Sequence, residues 1–291
     1  HEGLPDRLSG YRINTEGMLK CGPEDYSVST YESHLVFDHW QTLCNHSSRR
    51  VPTFDKDRLP AISSIASKIS QRTNSPYLAG LLKDNLVHDL FWKTVKTSSA
   101  PESYRAPSWS WASVNGHVRW HTRLTRLMNS RLSQPHPSFS LGPDGDIVLH
   151  ERFNCTSSDC NIYADILEVQ TTLAGLDPFG AVSDGHLKIC ASVNEVQLKG
   201  PSNDVDTFPW HVHSGDIELA KADLDEKHGP KSLDGITNWC AVLIGNCSRS
   251  SSRPRGLLLR KPGQKRAGLE EFRRIGLFVI FGDTVISRRS C

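Results

Sequence analysis

YRAPSWSWASVNG, residues 104–116, marks the point at which the chain changes its pattern. Before it, apolar residues recur at helical steps; after it, alternating and β-branched runs take over. Its own two tryptophans stand two apart with serine on each side. That period predicts a strand over Ser108–Ser113 with Trp109 and Trp111 on one face. Pro107 cannot donate to a ladder, so it belongs at the strand start or on an edge. Asn115-Gly116 is the expected hairpin turn toward His117–His121. Each indole brings a large apolar area and one N–H that wants a partner. If the face is buried, the pair anchors sheet to helices. If it is exposed, Trp109, Trp111 and Trp120 make a stacking platform for a carbohydrate or other small ligand.

Upstream, residues 1–32 are rich in Gly, Pro, Ser and Asp and read as an irregular connector. Residues 33–103 read as helical. Ser33 is a plausible N-cap for a helix carrying Leu35, Val36, Trp40, Leu43 and Cys44, which the run SSRRVP then breaks. A second helix is expected over DKDRLPAISSIASKIS, with Leu59, Ile62, Ile65, Ala66 and Ile69 on one face, Asp57 as cap and Pro60 in the first turn. Gly80 predicts a turn, followed by a short helix from Asp84 to Val95 with Leu82, Leu86, Leu90 and Val95 on its stripe.

Downstream, residues 104–291 read as mainly β. Strands are expected at His117–His121, Asp146–His150, Ile162–Gln170, His186–Val193, Glu195–Leu198, Asp216–Asp223, Trp239–Ile244, Gly256–Arg260 and Phe272–Phe281. Turn signals fall at 115–116, 143–145, 183–185 and 233–235, and the polar stretches 122–145 and 200–214 read as surface loops. Helices first and strands afterwards predict an α+β fold: short N-terminal helices packed on a mostly antiparallel, barrel-like C-terminal sheet, the two parts forming one compact unit.

The 291 residues are 37% hydrophobic and 23% charged, enough for a packed core. Thirty-four basic against 32 acidic side chains leave a net charge of +2, which supplies no global drive toward nucleic acid or acidic membranes. The longest apolar runs, such as Ile275–Phe281, are far shorter than the roughly 20 residues a membrane helix needs. The opening HEGLPDRLSG has neither an initiator Met nor a signal-peptide pattern, as expected of a fragment of a longer chain. Eight cysteines are scattered along the chain, and those in apolar contexts, such as Cys190 and Cys240, read as buried reduced thiols of a cytoplasmic protein.

The chemical motifs are sparse. His211 and His213 have an i, i+2 spacing open to a metal, but no Cys or carboxylate stands beside them at a zinc-like spacing. Cys155 and Cys160 are set wider than a metal knuckle, and a loop disulfide between them needs oxidising surroundings. No nucleophile elbow, phosphate loop or dinucleotide fingerprint is present. Nine basic side chains between Arg249 and Arg274 can touch phosphates, yet no aromatic alternates with them, so a solvated hairpin loop is the better reading. A hydrolase built from dispersed His, Asp and Ser residues stays open as an alternative.

Several phrases together are more specific. FDHWQTLCNHSSRRVPTFDKDRLPAISSIASKI (37–69) resembles the stretch that follows the HET domain in fungal heterokaryon-incompatibility proteins. There, a Trp and a basic break precede D-x-L-P-A-[LI]-S. YLAGLLKDNLVHDLFWKTV (77–95) resembles the next block, aromatic-x-A-G-L followed by a leucine-rich segment ending in Leu-[LF]-Trp. SYRAPSWSWASVNGHV (103–118) is similar to the block after that, whose R-A-P-S-W-S-W-A-S is the most specific phrase. DPFGAVSDGHLKI (177–189), and GLLL followed by EFRRIGLFVI (256–259 and 271–280), match later strand pairs more loosely.

The matching positions, read as structural, are Asp57, Leu59, Pro60, Ala61, Tyr77, Ala79, Gly80, Trp92, Arg105, Pro107, Trp109, Trp111, Gly116, Arg274 and Gly276. The HET domain itself, the death effector with a distant similarity to TIR domains, is absent from this sequence, so the resemblance carries over no catalytic residue. It implies a non-catalytic regulatory and interaction region, with no cofactor and no metal. Its partners would be a HET effector domain in cis and another incompatibility protein, and its setting non-self recognition and programmed cell death.

Overall fold

The computed structural model describes residues 30–95, 98–120, 164–200, 210–226, 236–247, 255–261 and 269–280, with short pieces at 139–141, 147–149, 160–162, 233 and 265–266. Helix α1 (Thr30–Ser48) extends beyond the expected bounds at both ends and buries Val36, Phe37, Trp40 and Cys44. The DKDRLPAIS segment is not one helix. It forms a 3-10 turn over Asp55–Arg58, a second over Pro60–Ile62, and only then α2 (Ser63–Thr73). Proline explains the division: Pro60 lacks the N–H a continuous helix needs, and it takes the first position of the second turn, where that loss is free. Asp57 therefore lies inside the first turn and caps nothing. Ala61 is exposed, and Ile65, expected on the apolar face, is 41% exposed. Asn74, in the left-handed region at φ 50°, ends α2.

Strands β1 (Tyr77–Leu78) and β2 (Leu81–Leu82) form a minimal hairpin. Ala79 and Gly80, both at positive φ (45° and 96°), make its two-residue turn. The helix expected over Asp84–Val95 shrinks to a 3-10 turn (Lys83–Asn85) and the single turn α3 (Leu86–Asp89). Strand β3 (Lys93–Thr94) follows and pairs with β4 (Val118–Arg119). The carbonyls of Leu90 and Trp92, which a longer helix would use internally, are taken instead by Arg274.

The strand expected over Ser108–Ser113 is absent. Ser110 N–H closes a turn on Pro107 O, the Ser110 hydroxyl accepts the Ala112 N–H, and Trp111–Ser113 forms a 3-10 turn. Serine can cap its own backbone in this way, and that local bond outcompetes the strand pattern. Asn115-Gly116 joins no strand pair; Asn115 N–H donates to Ser99 O.

Beyond two short pairs, β5 (Phe139–Leu141) with β6 (Ile147–Leu149) and β14 (Lys265–Arg266) with β15 (Leu269–Glu270), the β region is one antiparallel sheet. Its strands are β7 (Cys160–Ile162), β8 (Ala164–Leu173), β9 (Val182–Lys199), β10 (Trp210–Ser214), β11 (Ile217–Leu224), β12 (Thr237–Cys247), β13 (Arg255–Arg260) and β16 (Arg273–Ile280). Two expected strands, 186–193 and 195–198, merge into β9. The expected turn at 183–185 lies inside it, and the reversal comes earlier, at Ala174–Gly180, where the Asp177 carboxylate accepts the Phe179 N–H. The stretch 200–214, expected as loop, ends in β10.

The sheet closes on itself in the order β9-β10-β11-β16-β13-β12, with β12 returning to the C-terminal half of β9. The fold is α+β, and the sheet is a six-stranded barrel with β8 and β7 as outlying strands. Val196, Leu198, Trp210, Val212, Ala220, Ala222, Cys240, Leu258, Phe278 and Ile280 form the barrel's core. Size alternates so that this core fills: Ala222 stands in register with Trp210 on one side and Phe278 on the other. Leu257 and Leu277, next in sequence to interior residues, point outward and join the tryptophan-rich core of residues 36–120. Among the described residues no helix is long and apolar enough to cross a membrane.

Candidate functional site

The residues singled out in the sequence converge on the seam between the helical part and the barrel wall. One focus is the Gly80 carbonyl, which accepts two indole N–H groups, from Trp40 at 3.1 Å and Trp111 at 3.0 Å. A Cβ on Gly80 would collide with Trp111 Nε1 and crowd Leu59, and its φ of +96° already favours glycine. The neighbouring Ala79 carbonyl accepts the Ser110 hydroxyl at 2.6 Å. Three separate sequence blocks therefore meet on two consecutive peptide groups. Tyr77 flanks them, edge-on to Trp40 with centroids 6.1 Å apart.

The second focus is Arg274. It is 4% exposed, so the expectation of a solvated basic loop fails at this position. Its guanidinium pairs with Asp225 (2.9 and 3.1 Å), donates to Leu90 O and Trp92 O (2.6 Å each), and lies 3.5 Å from the Trp92 ring centroid. Burial acts most strongly on both partners, raising Asp225 and lowering Arg274, and each charge opposes the shift of the other. Its backbone N–H donates to Ser108 Oγ at 3.2 Å, and Trp92 Nε1 donates to Trp109 O at 2.9 Å. Around this latch, Lys93 pairs with Asp223 (2.7 Å) and Ser98 Oγ donates to Asp225 O (2.9 Å). Gly276 has no room for a side chain because the Asp223 carbonyl occupies the Cβ position. Pro107 packs on Gly185 of β9 in the same intolerant way.

A third group organises the outer side. Arg105 donates to the carbonyls of Ala112 (2.6 Å), Val114 (2.7 Å) and Asp55 (3.1 Å), tying the SWSWAS turn to the Asp55–Arg58 turn. Arg58 lies over the Trp111 ring and donates to Gly116 O; burial, with the Arg105 charge added, lowers it to about 10. Gly116, at φ +102°, presents that carbonyl.

Sequence reasoning missed Asp89. It is fully buried and collects three donors: Gln41 Nε2 (2.7 Å), Asn85 Nδ2 (2.6 Å) and Leu82 N (2.9 Å). Burial raises it to about 7 against the pull of those donors, and its own carbonyl accepts Trp120 Nε1 at 2.8 Å. The signal was available, because Asp89 stands three residues after Leu86 on the apolar stripe.

The arrangement binds the protein to itself. Trp109 (7% exposed), Trp111 (0%) and Trp120 (3%) are all interior, which removes the ligand-platform reading. His211 Nδ1 donates to Glu218 Oε1 across 2.8 Å, and among the described residues no three His, Cys, Asp or Glu side chains gather as a metal site. Cys155 lies outside the described residues. Cys44 and Cys240 are buried free thiols, but Cys190 is disulfide-bonded, which corrects the reduced-thiol reading at that position. Comparison with protein-family models, with curated proteins and with solved structures finds no significant match. Fold and site together define an α+β protein in which a tryptophan-rich helical segment is latched to a closed antiparallel barrel.

Proposed function

We propose that this chain is the non-catalytic regulatory and interaction region of a fungal heterokaryon-incompatibility protein, acting by protein–protein contact in non-self recognition and programmed cell death. One observation carries the reading: most of the positions that match the family phrases are occupied by internal contacts. Gly80, Trp92, Arg105, Trp111 and Arg274 are buried and bonded to the chain itself, so the motifs build a rigid body and leave recognition to its surface. The partners in this reading are a HET effector domain in cis and a second incompatibility protein. The test is capture of a separately expressed HET domain by the full chain, and of the two parts when fused. Retention by the wild-type chain supports the proposal; absence of any interaction in cis and in trans sinks it.

A further inference from the structure

The basic run that closes α1 takes no part in the latch. Ser48 Oγ accepts the Val118 N–H at 3.0 Å and so sets the last turn of α1 against β4. Val118 points into the core, which leaves His117 and Arg119 on the opposite side of the strand. Asn45 and Arg49, one helical turn apart, both reach His117: Nε2 lies 2.6 Å from Asn45 Oδ1 and 3.2 Å from Arg49 Nε.

Cations crowd this point. Burial lowers His117, and the charges of Arg49, Arg119, His46 and Arg58 lower it further. Burial lowers His46 too, with Arg49 and Arg50 adding to it. Among the described residues no carboxylate acts on either ring. From the packed elements, Asp55 acts on Arg58 and lies 3.5 Å from Arg105 Nη1, while Lys93, opposite Arg119 on β3, is held by Asp223. Arg58 Nε and Arg119 Nε are buried without a hydrogen-bond partner, and Arg58 is 5% exposed. The carbonyl end of α1 supplies only about half a negative charge. Four guanidinium groups and two imidazoles thus share one place with unmet donors, and among the described residues the carboxylate that acts on the cluster, Asp55, does so at Arg58 and is already beside Arg105.

We propose that this cluster is a binding site for a phosphate-type dianion, held by Arg49 and Arg119 with His117 between them. Guanidinium groups match phosphate oxygens in pairs, and a dianion satisfies both the charge and the idle donors. Val51 (94% exposed) and Phe54 (62%) stand beside the cluster in sequence, so the phosphate can come from a free ester or from a lipid headgroup. An anion here raises both imidazoles, so binding takes up protons and is tighter at pH 6 than at pH 8.

The full chain is titrated with inorganic pyrophosphate against sodium chloride of equal ionic strength, following histidine resonances. In parallel it is mixed with phosphatidylcholine vesicles with and without phosphatidic acid. Saturable pyrophosphate binding that shifts His117 supports a free-phosphate source; binding only to the acidic vesicles supports the headgroup. In either arm Arg49→Gln and Arg119→Gln each weaken binding about tenfold, while Lys68→Gln, a charge removed from exposed α2, leaves it unchanged. Arg49 is exposed, so its variant keeps the fold, which circular dichroism checks. No saturable binding in either arm, or equal loss on Lys68→Gln, overturns the proposal.

Discussion

Arg274→Met tests the latch. The substitution keeps the stem volume and removes the guanidinium, leaving Asp225 as a buried carboxylate without its cation and two carbonyls, Leu90 and Trp92, without their donor. Breaking a buried pair from one side costs about 3–5 kcal/mol, and each abandoned buried acceptor adds about 1 kcal/mol or more. These terms overlap, so the working figure is about 4 kcal/mol, equivalent to a fall of about 8–16 °C in Tm for a domain of this size. The pH dependence has a definite sign. Asp225, already raised by burial, loses the charge that held it down and rises further. Its folded-state pKa then lies above its unfolded value, so the variant is most stable in acid and loses stability as pH rises toward neutrality. The assay is urea unfolding at pH 5 and pH 7, read by tryptophan fluorescence. The double variant Arg274→Met with Asp225→Leu removes the stranded charge and recovers part of the loss, but the two carbonyls still lack donors. A single variant that unfolds at the wild-type midpoint at both pH values refutes the reasoning.

Further perturbations separate the other contacts. Gly80→Ala places a methyl against Trp111 Nε1 at a positive φ and costs about 2 kcal/mol or more by thermal denaturation, whereas alanine at exposed Gly175 changes little. Trp111→Ala and Trp109→Ala each cost about 3–5 kcal/mol. Trp92→Phe costs more than Trp109→Phe, because Trp92 donates to Trp109 O while the Trp109 N–H has no partner. Asp89, raised to about 7 from 3.8, binds a proton on folding. Its contribution is therefore greatest in acid and declines between about pH 4 and pH 7 by roughly 4 kcal/mol. Asp89→Asn flattens that slope in urea titrations at several pH values.

Much of the architecture was legible where one face of an element meets one environment. The barrel strands β11, β13 and β16 fall within two residues of their expected bounds because alternation there reports inside against outside. The misreadings cluster where distant groups decide local structure. Asp84–Val95 carries an apolar stripe, but its last carbonyls go to Arg274, some 180 positions away in sequence. SWSWAS has the period of a strand, yet Ser110 bonds its own backbone and the Ala79 carbonyl, and both indoles remain buried without sheet geometry. A barrel-like antiparallel sheet was expected from the succession of strands, but which strands close it was not legible, since closure depends on β12 reaching β9 across the whole barrel. The bonding of the singled-out residues was invisible in the sequence: nothing in R-R-I-G says that the second arginine is interior and the first, Arg273, is exposed and paired with Glu226.

The polar character of the seam needs its own explanation, because an apolar contact of the same size would hold at least as firmly. Hydrophobic surfaces are indifferent to direction. A helical segment resting on Leu257 and Leu277 alone could slide along the barrel wall at little cost. Arg274 removes that freedom, because its planar guanidinium meets Asp225, Leu90 O and Trp92 O at fixed angles that one docking position satisfies. Any displaced arrangement leaves buried donors and acceptors unpaired, which is far more expensive than a shifted apolar contact. The double acceptor at Gly80 does the same for the helical segment, fixing α1 and the SWSWAS turn on one peptide group. Register, more than net stability, is what these buried polar groups provide. The consequence is that the helical segment and the barrel keep a single relative position.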